Sequence, residues 1–326
     1  MAFRLRLVPV KTTIDFFKLQ WITFGASALA VVVSLISVAV LGLNFGVDFK
    51  GGTTIRTEST LAVDVGVYRE VLGALDVGNV TISEVFDPAF RDDQHVANIR
   101  IEAQEGDEVA SPETIARIEA ALQSVDPAIT FPSVESVGPK VSSELIWAAI
   151  LAVVAGSAGI WIYVWLRFEW QFAVGTVAAL IHDVVVTVGV FSILQLEFDL
   201  TIVAALLTIL GYSVNDTVVI FDRLRENLVK YKTMPLREMM NLTANETLSR
   251  TIMTATTTLL SLTCLFIFGG DVIRGFVFAM LFGVVIGTYS TLYVAKNIVL
   301  MLGLDRSDKP KSSGKGADHE FANVDA

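Results

Sequence analysis

Residues 200–227 read LTIVAALLTILGYSVNDTVVIFDRLREN. The stretch begins as an apolar run long enough to cross a bilayer as a helix. It ends abruptly in charge, with Asp222, Arg223, Arg225 and Glu226, which read as the exit from the hydrocarbon layer. Asp216 lies roughly 9 Å deeper, at about 1.5 Å per residue. A carboxylate there costs about 2.5–3.5 kcal/mol on insertion scales, so such groups face a polar interior or a partner. Two readings stand: a protonatable group on an ion path, or a buried carboxylate that pins helices together. Ser213 and Asn215 supply further polarity beside it.

The rest of the chain has the same character. It has 326 residues, 53 % of them hydrophobic, which marks a polytopic α-helical membrane protein. Six windows are long and apolar enough to span: 21–43, 145–166, 171–193, 200–221, 249–268 and 275–302, the last interrupted by Lys296 and Asn297. The first window is too long for a cleaved signal peptide and lacks a small-x-small site, so it reads as an anchor. The single cysteine, Cys264, reads as a small core residue. Between Phe45 and Ser143, 17 acidic residues face 7 basic ones, which accounts for the whole net charge of −10. That balance excludes nucleic acid as a partner.

Basic residues fix a threading. Arg4, Arg6, Lys11 and Lys18 place residues 1–20 in the cytoplasm. Residues 44–144 then lie outside. The loop 222–248, with Arg223, Arg225, Lys230, Lys232 and Arg237, lies inside, as does the polar tail 303–326, which reads as disordered. In the outer segment, strand-like runs at Thr53–Thr57, Val80–Phe86, Val96–Ala103 and Ile129–Val137 alternate with two helices. The first helix carries Val67, Val71, Leu72 and Leu75 on one face. The second starts at Ser111-Pro112 and buries Ile115, Ile118, Ala121 and Leu122. The order β-α-β-β-α-β predicts a ferredoxin-like domain. His95 reads as a loop residue there. In the inner loop, Pro235, Leu236, Met239, Met240 and Thr243 predict a separate amphipathic helix.

Further polar groups lie inside the spans. Arg250, Thr254, Thr257 or Thr258, and Ser261 recur at helical spacing on one face of the fifth. Arg250 shares a depth with Asp216, so either the two form an ion pair or Arg250 snorkels to the surface. Asp183, in a His182-Asp183 pair, shares a face with Thr176 and Thr187 and is expected to face the interior. His182, about 100° away, is expected to face elsewhere. Gly283/Gly287 and Gly42/Gly46 are GxxxG spacings for close helix packing. No GxxxxGK[ST] loop, HExxH or metal cluster is present. SVND at 213–216 is not the GxGD of intramembrane aspartyl proteases.

Four stretches resemble one family. GVDFKGGT at 46–53, GYSVNDTVVIFDRLREN at 211–227, LSRTIMTATTT at 248–258 and FGG at 268–270 are similar to signatures of the SecD/SecF family of protein-export membrane proteins, on its SecF side. Lys50 departs from the smaller or neutral residue expected between the Phe and the glycine pair. The resemblance implies an accessory subunit of the Sec translocase in the bacterial inner membrane, of resistance-nodulation-division type, with both termini cytoplasmic. It implies pairing with SecD, work beside the SecYEG channel and YajC on unfolded preproteins, and protons as coupling ion with no cofactor. It places the family's intramembrane aspartate on Asp216 and its arginine on Arg250, gives Asp183 a recurrent position, and assigns Gly46, Asp48, Gly51 and Gly52 to the motif after the first span. Two alternatives are an assembly subunit with a structural Asp/Arg pair, and a half-size proton-driven efflux transporter.

Overall fold

The structure, a computed structural model, describes residues 9, 12–75, 77, 80–85, 90, 91, 93–101, 110–270 and 273–304. The chain opens with α1 (Gln20–Val40), which ends at Gly42 in a left-handed turn with φ of 72°. A short strand β1 (Asn44–Phe45) and a single helical turn α2 (Val47–Lys50) lead into the outer domain. That domain runs β2 (Gly52–Ser59), α3 (Val65–Gly73), β3 (Val80–Val85), β4 (His95–Ile101), α4 (Pro112–Val125) and β5 (Thr130–Val137).

Its sheet has the order β3-β4-β2-β5 with every neighbour antiparallel, the ferredoxin-like arrangement. Alternation along the strands sends Ile55, Ile82, Ile99 and Ile101 to one face, where Leu72, Ile118 and Leu122 of the two helices cover them. Local chemistry starts both helices. The Asp64 carboxylate accepts from the Gly66 and Val67 amides at 2.9 and 3.1 Å, and the Ser111 hydroxyl accepts from the Thr114 amide at 3.1 Å. The opposite sheet face is polar and roofs a cleft of about 570 Å³ above the bundle, lined by Thr54, Arg56 and Asn98 from above and Asp48, Glu197 and Asp199 from below.

The bundle continues with α5 (Pro139–Arg167), α6 (Trp170–Leu194), the two-residue strand β6 (Glu197–Phe198), α7 (Leu200–Lys230) and α8 (Leu236–Phe268). The last span is α9 (Arg274–Ser290), a π turn (Thr291–Ala295) and α10 (Lys296–Leu302). Among the described residues these make six helices long and apolar enough to cross a membrane. Half of the apolar window of α7 is buried against none of that of α5, so α7 is a central element and α5 a peripheral one. Close approach of α7 and α9 requires Gly283, where an added Cβ would sit 2.3 Å from Ile209.

Several sequence expectations change. The amphipathic helix of the inner loop is not separate but the first turns of α8, and α7 runs to Lys230, nine residues past the expected end at 221. No Gly or Pro interrupts Leu236–Phe268 or Asp222–Lys230, so backbone bonding continues into the polar zone. The Gly42/Gly46 spacing is not a helix-packing motif, because α1 ends before it. Cys264 is exposed rather than in the core, since the outer half of α8 presents its side chains outward. In α3 the buried residues are Tyr68 and Leu72, one helical turn apart, with Val67 exposed. His95 opens β4 instead of lying in a loop. Phe86, Ala103, Asp271, Arg4, Arg6, Lys11 and the tail from residue 305 lie outside the described residues.

Candidate functional site

Two carboxylates fix the start of α7. The Asp199 side chain accepts from the Ile202 amide at 3.0 Å, and Asp48 Oδ2 accepts from the Leu200 amide at 3.0 Å. Both meet the positive end of a long helix. Asp48 reaches that point because the glycine motif folds tightly. The Gly46 amide donates to the Phe198 carbonyl at 2.9 Å, and a Cβ on Gly46 would lie 3.1 Å from Glu197 Oε1. Gly51 and Gly52 have φ of 72° and 116°, conformations that side chains disfavour. Lys50 is exposed and leaves this geometry untouched. The motif is thus a clamp on the helix that carries Asp216.

At mid-bundle, Asp183 is fully buried. Its Oδ2 accepts from Ser213 of α7 at 2.7 Å and from Ser290 of α9 at 2.8 Å. Its Oδ1 lies 3.0 Å from His182 Nδ1. One carboxylate therefore joins three helices. His182 does not point away as expected. Its ring is buried, folded back on Asp183 and 6.3 Å from the ring of Tyr289. Ser213, expected beside Asp216, belongs to the Asp183 group instead. Thr176 and Thr187 are buried with their hydroxyls on the Phe172 and Asp183 carbonyls. Toward the far end, the Thr217 and Thr291 hydroxyls meet at 2.9 Å, where the π turn begins; π turns inside helices recur at functional sites.

Asp216 is 3 % exposed, and its Oδ2 has no hydrogen-bond partner among the described residues. Arg250 acts on it electrostatically, yet the described ion pairs do not include one between the two. The expected direct ion pair is thus not among the described contacts. Arg250 is exposed, in a cleft of about 500 Å³ at the far end shared with Asp222, Arg223, Glu226 and Glu246. There Arg223 pairs with Glu226 and Glu246 at 2.6 and 2.7 Å. Tyr212 faces Thr258 and Thr254 across the α7–α8 seam. The hydroxyls of Thr254, Thr257 and Ser261 donate to carbonyls of their own helix, and Ser261 is exposed. Asn215 also faces outward.

Sequence reasoning missed Ser290, Thr217 and Thr291, which pass for ordinary small polar residues in apolar helices. The i, i+4 spacing of Ser213 and Thr217 was their one visible signal. It also passed over Lys296 as a mere interruption. Lys296 is buried, with its Nζ 4.6 and 4.2 Å from the ring centres of Phe16 and Phe17. Asn241, Asn245 and Arg237 of α8 hold the backbone of that N-terminal strap.

The chain is similar to known proteins along its whole length. The family profile described as protein export membrane protein SecD/SecF, C-terminal, matches residues 117–305, and that of the SecD/SecF GG motif matches residues 36–60. A protein translocase subunit SecF of Cereibacter sphaeroides is 67 % identical over 326 residues, covering 100 % of both chains. One of Rhodobacter capsulatus is 62 % identical, covering 99 % of this chain and 98 % of its own. The crystal structure of SecDF, a translocon-associated membrane protein from Thermus thermophilus, superposes with a TM-score of 0.80 at 33 % identity, over 91 % of this chain and 39 % of that one. A SecDF structure in a super-membrane-facing form gives 0.63 at 33 % identity, over 92 % and 40 %. This chain thus spans about two fifths of the SecDF chains it matches.

Proposed function

Because the chain belongs to the SecD/SecF family of protein export membrane proteins, we propose that it is the SecF-type subunit of the Sec translocase and couples proton entry to preprotein export. Its partner is a SecD-type chain, the counterpart of the remaining part of the SecDF chains. The complex works beside the SecYEG channel and YajC in the inner membrane, with the outer domain on the export side and both termini cytoplasmic. Protons are the coupling ion.

The observation that carries this reading is the contrast between two buried carboxylates. Asp183 receives His182, Ser213 and Ser290, whereas one oxygen of Asp216 has no donor among the described residues. A proton can arrive at that oxygen without first displacing a hydrogen bond. Asp183 is the fixed member of the path and holds α6, α7 and α9 in register. On protonation, Asp216 loses its attraction for Arg250, the α7–α8 seam repacks, and the proton leaves toward the cleft around Arg250. One charge crossing the field yields about 2.3 kcal/mol per 100 mV, and a pH difference adds about 1.4 kcal/mol per unit. A few protons are enough to bias a two-state element. The two SecDF forms match the same share of this chain to different extents, which supports a fold with more than one arrangement.

A non-catalytic assembly role is the second reading, and the hydrogen bonds to Asp183 favour it for that residue. Proton flux and preprotein export in vesicles carrying this chain with its partner separate the two. Asp216→Asn at matched complex levels is expected to abolish both. Retention of both would make Asp216 a structural carboxylate and sink the proton-path reading.

A further inference from the structure

The outer domain joins the bundle through two covalent connections, Gly51 before β2 and Gly138 after β5. These lie side by side, because Gly52 pairs with Val137 across the β2–β5 ladder. Two adjacent connections define an axis and leave rotation about it free. A third point, away from that axis, is needed to set the angle of the domain.

Arg100 supplies that point. It sits on β4 between Ile99 and Ile101, both buried in the domain core, so strand alternation turns it to the opposite face, toward the bundle. Its Nη1 donates to the Phe45 carbonyl at 3.2 Å, and its Nη2 donates to the Glu197 carboxylate. The Arg100 side chain is 17 % exposed. The two acceptors belong to strands that pair with each other, since Asn44 opposes Glu197 and Phe45 opposes Phe198. One guanidinium fork therefore grips both strands of a small collar. The collar is continuous with α7: β6 runs into Asp199, and β1 runs into Asp48, whose carboxylates hold the first amides of that helix. Phe45, Phe49 and Phe198 pack ring on ring within it, so it transmits force as a unit.

We propose that Arg100 is a positioning residue, the latch through which the outer domain and α7 move as one lever. The inference rests on the reading that α7 repacks during a proton cycle and adds the contact that carries this movement outward. Glu197 is suited to such a contact. Partial burial holds its carboxyl above the usual range although the side chain is 46 % exposed; Arg100 pulls it down, and Asp199, Asp48 and Glu135 push it up.

The test uses the full chain with its partner in vesicles. Arg100→Glu is expected to lower export per proton by about tenfold, the scale of an ordinary coupling energy, while proton flux persists. The swap Arg100→Glu with Glu197→Arg is expected to restore most of it. A purely structural role would lower flux and export in parallel and leave the swap without effect; either that result or unchanged export per proton overturns the proposal. Latch formation is read separately. In a Cys264→Ser background, Arg100→Cys and Glu197→Cys are expected to be bridged in membranes by a flexible bifunctional thiol reagent, because contact through the tips of two long side chains sets their backbones too far apart for a direct disulfide. Absence of the cross-link sinks the latch itself. A robust cross-link, with Asp216→Asn leaving flux intact, sinks the proton-path reading instead.

Discussion

Asp183 and Asp216 differ by their donors, not by their burial. Ser213 and Ser290 reach Asp183 from two other helices, and a hydrogen bond to a charged group contributes about 1.5–3 kcal/mol. Ser290→Ala and Ser213→Ala are each expected to destabilise the bundle by about that much, with less than additive loss in the double variant, since both serve one oxygen. Thermal unfolding in detergent measures it, and additive or negligible losses would mean that Asp183 does not tie the three helices. Asp216 was legible in the sequence because a carboxylate inside an apolar run has few explanations. Ser290 was not, because a serine in a membrane helix bonds its own backbone at little cost, and only tertiary placement gives it a carboxylate. The same holds for His182, whose backbone direction argued for another face while its side chain reaches back to Asp183.

At the scale of elements, the spans were readable from apolar length, while their ends were not. Charge at Asp222 and Arg223 reads as a membrane exit and also as a helix end, and the helix does not end there. A helix stops when its backbone is interrupted, and nothing between Asp222 and Lys230 does so. The glycine spacings divide in the same way. Gly283 and Gly287 pack helices, with Ile209 and Ser213 at their surfaces, whereas Gly42 and Gly46 end one element and begin another. Gly283→Val is therefore expected to force α7 and α9 apart and destabilise the bundle by about 1–3 kcal/mol or more, as overpacking does. Ile209→Ala, which removes the side chain in the way, is expected to recover part of the loss in the same unfolding assay. Failure of that recovery would place the strain elsewhere.

For the whole molecule, the sequence carried the count of spans and the ferredoxin-like order. It did not carry how the outer domain meets the bundle, because that joint is made of single residues far apart in the chain. Arg100 and Glu197 are unremarkable where they stand, and no periodicity connects them. Their joint has a pH signature. Glu197 is raised above its ordinary value of 4.5, chiefly by burial, so the native state binds a proton more readily than the unfolded chain there. The group's stabilising contribution is fully present below about pH 4.5 and is lost as pH rises through the higher native value. Wild-type stability minus that of Glu197→Gln is expected to fall across this window and then level off. A pH-independent difference would show that this joint does not raise the Glu197 carboxyl.

The π turn at Thr291–Ala295 has a consequence for phase. Each residue of an α-helix advances the side-chain direction by about 100°, and a π turn adds one residue without adding a full step of register. Ser290, ahead of it, faces a carboxylate at mid-bundle. Lys296, behind it, lies beneath the rings of Phe16 and Phe17. One rod thus meets two unlike neighbours at different azimuths. The extra residue resets the phase between them.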